Sequence, residues 1–153
     1  LFDWARASLD RIAAEWPTGL ATCAIHADLF PDNVLMLGDR VTGLIDFYFA
    51  CTDIRAYDLA VSHGAWSFDA TGRDFDPAVG GALIEGYSSS FGLSAEERAA
   101  LPVLAEGAAL RFFLTRAWDW LNTPADAMVT RKDPLAYRRR LDFYAENGTA
   151  LFA

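Results

Sequence analysis

Two short β-like runs, Asn33 to Leu37 and Val41 to Phe47, lie either side of Gly38-Asp39-Arg40. Runs of this kind separated by turn residues read as a β-hairpin. Nearly everything else in the chain has helical signals, so the hairpin constrains the fold more than any other feature. Before it, residues 2–16 read as an amphipathic helix, with Ala5, Leu9, Ile12 and Trp16 on one face and Pro17 and Gly19 as the stop. Residues 21–26 then run apolar into His26. From Tyr57 onward the pattern is helical. Asp76-Pro77 is an N-cap followed by proline at the first helical position, opening a helix to about Ser90. Ser94 to Glu97 is a capping box. Its helix runs to about Leu121, with Pro102 expected to kink or restart it. Asp133-Pro134 opens the last helix and Gly148 is expected to close it. The fold class is α+β, predominantly α: a small hairpin set into a mostly helical domain.

The chain has 153 residues, enough for one domain with a real core. With 53% apolar residues, global disorder is excluded. A formal net charge of −8 argues against nucleic acid or an anionic membrane as the main partner. No run approaches the roughly 18 apolar residues needed to span a bilayer. The first residues, Leu1-Phe2-Asp3-Trp4, lack a basic n-region, and the absence of an initial Met suggests a piece of a longer protein. Cys23 and Cys51 form no disulfide framework, so a reducing, cytoplasmic setting is expected, with both thiols as small buried hydrophobes. The basic residues are twelve arginines and a single lysine, Lys132.

The chemistry gathers around the hairpin. Asp28 lies in the loop that leads to it, Asn33 ends that loop, and Asp46 lies near the end of the second run. A hairpin returns its second strand to where its first began, so these three residues are expected to converge. Asn33 and Asp46 supply hard oxygen ligands suited to Mg²⁺, and Asp28 can accept a proton from a hydroxyl. Taken singly, each has an ordinary reading as a turn or strand-end residue. As a set they meet the needs of phosphoryl transfer.

The stretch 26–47 resembles the catalytic loop and metal-binding aspartate of the protein-kinase-like superfamily. The resemblance implies that Asp28 orients the acceptor hydroxyl, that Asn33 and Asp46 hold Mg²⁺, and that His26 braces the loop. No Ala-Pro-Glu follows, and Asp58-Leu-Ala60 comes soon after Asp46. Phe30 stands where serine/threonine protein kinases usually carry a lysine. These points favour the small-molecule branch, which contains aminoglycoside phosphotransferases and choline kinases. There Asp58 would cap a buried helix and hydrogen-bond the catalytic loop.

The closer resemblance is to bacterial homoserine kinases of this phosphotransferase type. It rests on His26-Ala-Asp-Leu-Phe-Pro-Asp-Asn33, Gly43-Leu-Ile-Asp-Phe47, Ala56-Tyr-Asp-Leu-Ala60, Asp119-Trp-Leu-Asn-Thr-Pro124 and Lys132-Asp-Pro134. It implies transfer of the ATP γ-phosphoryl to the side-chain hydroxyl of L-homoserine, a step toward threonine. It also implies that residues 1–153 are the C-terminal lobe of such a kinase. The nucleotide-binding N-terminal lobe is expected to be absent from these residues, since only one helix and a short strand precede His26 and Lys132 lacks the context of a nucleotide-lobe lysine. The isolated piece is therefore expected to be inactive or nearly so.

Homoserine is a zwitterion. Its carboxylate calls for an arginine and its ammonium for a carboxylate. Arg111, Thr115 and Asp119 lie on one helical stripe, Arg116 sits beside it, and Asp32 lies in the catalytic loop. Arg111, Arg116, Asp119 and Asp32 are candidate acceptor contacts, the arginines alternatively being paired within the helix with Asp119. Trp66, Trp118 and Trp120 are expected in the core, His63 in packing, and Arg138-Arg139-Arg140 on a solvated face. Two other readings stay open: a kinase for an aminoglycoside, choline or sugar-like alcohol, and a non-catalytic, pseudokinase-like binding module.

Overall fold

The computed structural model describes residues 1–124, 127–128 and 131–153. Helix α1 (Phe2–Glu15) leads to strand β1 (Thr22–Ile25) and the hairpin of β2 (Val34–Leu37) and β3 (Arg40–Leu44). Strand β4 (Cys51–Ile54) passes directly into α2 (Arg55–Trp66), followed by α3 (Pro77–Phe91), α4 (Ala95–Asn122) and α5 (Leu135–Leu151). The two sheets are separate antiparallel pairs, β1 with β4 and β2 with β3. The fold is therefore α+β and predominantly helical.

Several local expectations need correction. The hairpin turn is Gly38-Asp39 alone, and the register slips between Leu35 and Met36, opposite Thr42. Strand β3 ends at Leu44 rather than Phe47, because Asp46 takes a left-handed conformation (φ 63°) that no strand accommodates. β4 went unforeseen: four polar-flecked residues become a strand only by pairing with β1, Thr22 opposite Ile54 and Ile25 opposite Cys51. α2 consequently starts at Arg55, two residues early.

Helices α2, α4 and α5 form the core, with Leu59, Val61, Leu101, Leu104, Tyr137 and Tyr144 almost wholly buried. The α4 N-terminus carries its capping box, with Ser94 Oγ accepting from the Glu97 amide and Glu97 accepting from the Ser94 amide. Buried Glu97 also accepts from Arg55 Nη2 at 2.7 Å, which fixes the first turn of α2 against α4. Pro102 does not restart α4, which runs unbroken over 28 residues. Its ring faces Gly148 of α5, where an added Cβ would lie 3.1 Å from the ring. Gly148 therefore does not close α5. It is buried in the last turn of α5, where its lack of a side chain lets the two helices approach.

The surface also differs from expectation. Leu9 is half exposed, and α1 buries Ser8 and Ile12. Cys51 is exposed and Cys23 only partly covered, so neither is a buried hydrophobe. Trp118 and Trp120 are exposed, and Trp66 is half-buried with its Nε1 donating to the Leu29 carbonyl. Arg140, read as solvated, is buried and donates to the carbonyls of Gly64 and Asp69. It sits on the inward face of α5.

His63 is fully buried on α2, 2.7 Å from the Tyr144 hydroxyl through Nδ1. Burial lowers its pKa from the usual 6.5 to about 4. The unfolded chain therefore takes up a proton near pH 6.5 that the folded chain refuses until about pH 4. Stability is complete above 6.5 and falls as pH drops through that window, by about 3 kcal/mol in all. Denaturant unfolding at several pH values should show this fall in the wild type and a smaller one in a His63→Gln variant. Parallel curves for the two would refute it.

Candidate active site

The loop after β1 is held from behind. Ala27 has φ 60°, a left-handed conformation that costs a residue with a Cβ about 1–2 kcal/mol. Asp58, in the first turn of α2, accepts from both backbone amides at this point: His26 N to Oδ2 at 3.0 Å and Ala27 N to Oδ1 at 2.8 Å. Arg111 of α4 donates Nη1 to the Ala27 carbonyl at 2.6 Å. α2 and α4 together thus fix the peptide that precedes Asp28. Asp58 does not cap its own helix. The residue at the cap position is Ile54, which has no side-chain cap bond.

The two ends of the hairpin are tied to this loop. The Ile45 amide donates to the Asn33 carbonyl at 3.0 Å. His26 Nε2 lies 2.9 Å from the Ile45 carbonyl, so the ring donates there and is protonated on that nitrogen. The His26 ring packs 4.7 Å from Phe47, the residue after Asp46. Asn33 directs Nδ2 to the Asp28 carbonyl at 2.8 Å and to Asp28 Oδ2 at 3.3 Å. Its amide nitrogen is thereby occupied, and its Oδ1 remains as an acceptor.

Asp28, Asn33 and Asp46 line one cavity of about 640 Å³. Burial pushes the Asp28 carboxyl above the ordinary carboxylate range. Arg111 pulls it back, the neighbouring Asp46 charge raises it further, and His26 and the Asn33 hydrogen bond lower it. Two carboxylates that repel each other, beside a free amide oxygen, form a donor set suited to a hard divalent cation.

The same cavity gathers Asp32, Arg111, Arg116 and Asp119. His26 and Asp58 stand behind it as braces. Neither arginine pairs with Asp119 among the described residues. Arg111 holds the loop carbonyl and lies over the rings of Phe112 and Phe49 at 4.6 and 5.0 Å. Arg116 lies 4.5 Å over the Tyr137 ring. Lys132, Arg131 and Phe30, none of them a site candidate from the sequence, also line the cavity. Lys132 pairs with Asp32 at 3.6 Å. Phe30 packs edge-on to Phe112 at 5.0 Å, anchoring the loop to α4. The Lys132-Asp-Pro134 motif was the available signal, but only the fold carries it across to the loop.

A profile of the phosphotransferase enzyme family matches residues 1–102. The chain belongs to that family. Among curated relatives, homoserine kinase from Rhizobium etli (strain CIAT 652) is 57% identical over 145 residues, covering 95% of this chain and 45% of the relative. Homoserine kinase from Zymomonas mobilis is 56% identical over 144 residues, covering 94% of this chain and 45% of the relative. The enzyme of that name from Gluconacetobacter diazotrophicus is 60% identical over 140 residues, covering 90% and 43% respectively. The chain thus spans a little under half the length of these relatives. A solved structure of an ethanolamine kinase from Plasmodium vivax superposes with a TM-score of 0.68. It covers 100% of this chain and 42% of that one, at 15% identity, a likeness of fold alone.

Proposed function

We propose that these residues form the catalytic and acceptor-binding lobe of a homoserine kinase. In the full-length protein, this lobe works with a nucleotide-binding lobe that residues 1–153 do not contain. The carrying observation is the convergence of Asp28, Asn33 and Asp46 on one cavity whose further lining holds both charge signs. The three homoserine kinases named above, at 56–60% identity, support the choice of acceptor.

Asn33 and Asp46 would hold Mg²⁺, which when bound neutralises charge on the nucleotide phosphates. Asp28 orients the acceptor hydroxyl and takes its proton as the acceptor oxygen bonds to the γ-phosphorus. The bond from that phosphorus to the bridging oxygen breaks, and ADP leaves with the electron pair. His26, Asp58 and Arg111 keep the Asp28 backbone in place while this happens. Arg116, Asp119 and Asp32 are the acceptor contacts, and the setting is cytoplasmic. No described helix is long and apolar enough to cross a membrane.

The test is ATP-dependent phosphorylation by the full-length protein, with the product identified by ³¹P NMR. A phosphomonoester on the side-chain oxygen of homoserine is expected. No turnover of homoserine would overturn the substrate. For the metal, Asn33→Ala should raise the Mg²⁺ concentration needed for half-maximal rate by about 10-fold or more, in line with the loss of one ligand. An unchanged Mg²⁺ titration would remove Asn33 from the site.

A further inference from the structure

The reaction cavity shares Phe30, Asp32, Arg116 and Lys132 with a second cavity of about 440 Å³, which also reaches Asp133 and Arg140. Charge at this junction is unbalanced. Asp133 is engaged by Arg139 at 3.6 Å and by the Leu135 amide. Asp32 is engaged by Lys132 at 3.6 Å, and both side chains are largely exposed. Arg116 has no ion pair or hydrogen bond among the described residues; its guanidinium rests 4.5 Å over Tyr137. Arg140 lies 4.3 Å over the same ring. It is buried, gives its terminal nitrogens to two carbonyls, and has no described partner for Nε. The Tyr137 hydroxyl is likewise buried and unpartnered among the described residues.

Two guanidiniums therefore share one aromatic ring with no carboxylate in ion-pair contact among the described residues; Asp133 and Asp28 act on Arg116 only from farther off. Partly desolvated cations without a counter-charge are unfavourable, and an anionic group on a ligand would relieve this. Arg116 and Asp28 line the same cavity, so an anion bound at Arg116 lies in the reaction cavity.

We propose that Arg116 and Lys132 receive the carboxylate of the acceptor, making the site selective for hydroxy amino acids over amino alcohols that lack one. This rests on the acceptor reading above and adds Lys132 to it. The exposed Lys132–Asp32 pair is weakly held. When the zwitterion enters, Lys132 turns to its carboxylate and Asp32 is released to its ammonium. Arg140 and Tyr137 stay in place beneath Arg116 and keep its guanidinium facing the junction. A nucleotide phosphate would satisfy the same cations, so the experiment must separate the two sources.

The experiment is steady-state kinetics on the full-length protein with homoserine and with 3-aminopropan-1-ol, the same molecule without its carboxylate. KM for ATP is measured alongside, in wild type, Arg116→Met, Arg116→Lys and Lys132→Met. Wild type is expected to favour homoserine in kcat/KM. That preference should fall on the order of 10–100-fold in Arg116→Met through a higher KM for homoserine, less in Lys132→Met, and in part return in Arg116→Lys. KM for ATP should stay fixed.

A rise in KM for ATP instead would assign the cations to the nucleotide and overturn the proposal. An unchanged preference in both Met variants, or no preference in wild type, would also overturn it. If wild type rejects homoserine but favours serine over ethanolamine, and the variants erase that preference, the substrate assignment fails while carboxylate recognition stands. If no carboxylate-bearing alcohol is favoured over its decarboxylated counterpart, carboxylate recognition itself is wrong.

Discussion

Asp28→Asn in the full-length protein is expected to lower kcat for homoserine phosphorylation on the order of 10²–10⁴-fold, with KM for ATP little changed. The substitution is nearly isosteric. Its amide oxygen can still accept from Asn33 Nδ2, which reaches both the Asp28 carbonyl and its carboxylate. The loop, pinned at His26 and Ala27 by Asp58, has no reason to move. Only the capacity to take a proton is lost. Burial makes the carboxylate a better proton acceptor than an exposed aspartate, and Arg111 and the Asn33 hydrogen bond keep it from becoming neutral too readily. A variant that kept the wild-type rate would show that Asp28 is not the base.

Asp58→Ala is the second large effect. Asp58 does not line the reaction cavity, yet its two oxygens accept from the successive backbone amides of His26 and Ala27. Removing them leaves two buried donors unpaired, at a cost of about 2–4 kcal/mol in stability. It also removes half of the hold on the left-handed Ala27, leaving the Arg111 bond to its carbonyl. A displacement of the next residue, Asp28, by even an ångström should cost about 10²-fold in kcat. KM for ATP should change little at a temperature well below unfolding. Asp58→Asn, which keeps one acceptor, should fall between the two. If Asp58→Ala lost stability but kept kcat, Asp58 would serve folding alone.

The parts of the fold that the sequence carried were those decided by neighbours in the chain. The Ser94–Glu97 capping box and the Asp76-Pro77 start are local chemistry and appear where their residues place them, and the hairpin turn does so one residue shorter than expected. The candidate set around the hairpin was legible for the same reason. Its spacing is a loop, a short turn and a return strand, and the cavity does gather Asp28, Asn33 and Asp46.

What stayed hidden was decided by distant partners. β4 exists because β1 supplies its hydrogen bonds. Gly148 reads as a helix stop until Pro102 is placed against it. Arg140 reads as one of three surface arginines until Gly64 and Asp69 offer it carbonyls from across the fold. Arg111 reads as an acceptor contact on a polar stripe, but its guanidinium is aimed at the Ala27 carbonyl. Lys132, about a hundred positions from the catalytic loop, reaches Asp32 only through the tertiary fold, in which α5 packs against α4.

The most direct measurement is a competition among acceptors. The full-length protein is given limiting γ-labelled ATP, Mg²⁺ and equimolar homoserine, ethanolamine, choline and kanamycin, and the labelled products are separated. The expected result is label in O-phosphohomoserine, lost when Asp28→Asn replaces wild type. Label that goes chiefly to another acceptor, or that persists in the variant, would contradict the reading of this cavity as a homoserine phosphorylation site.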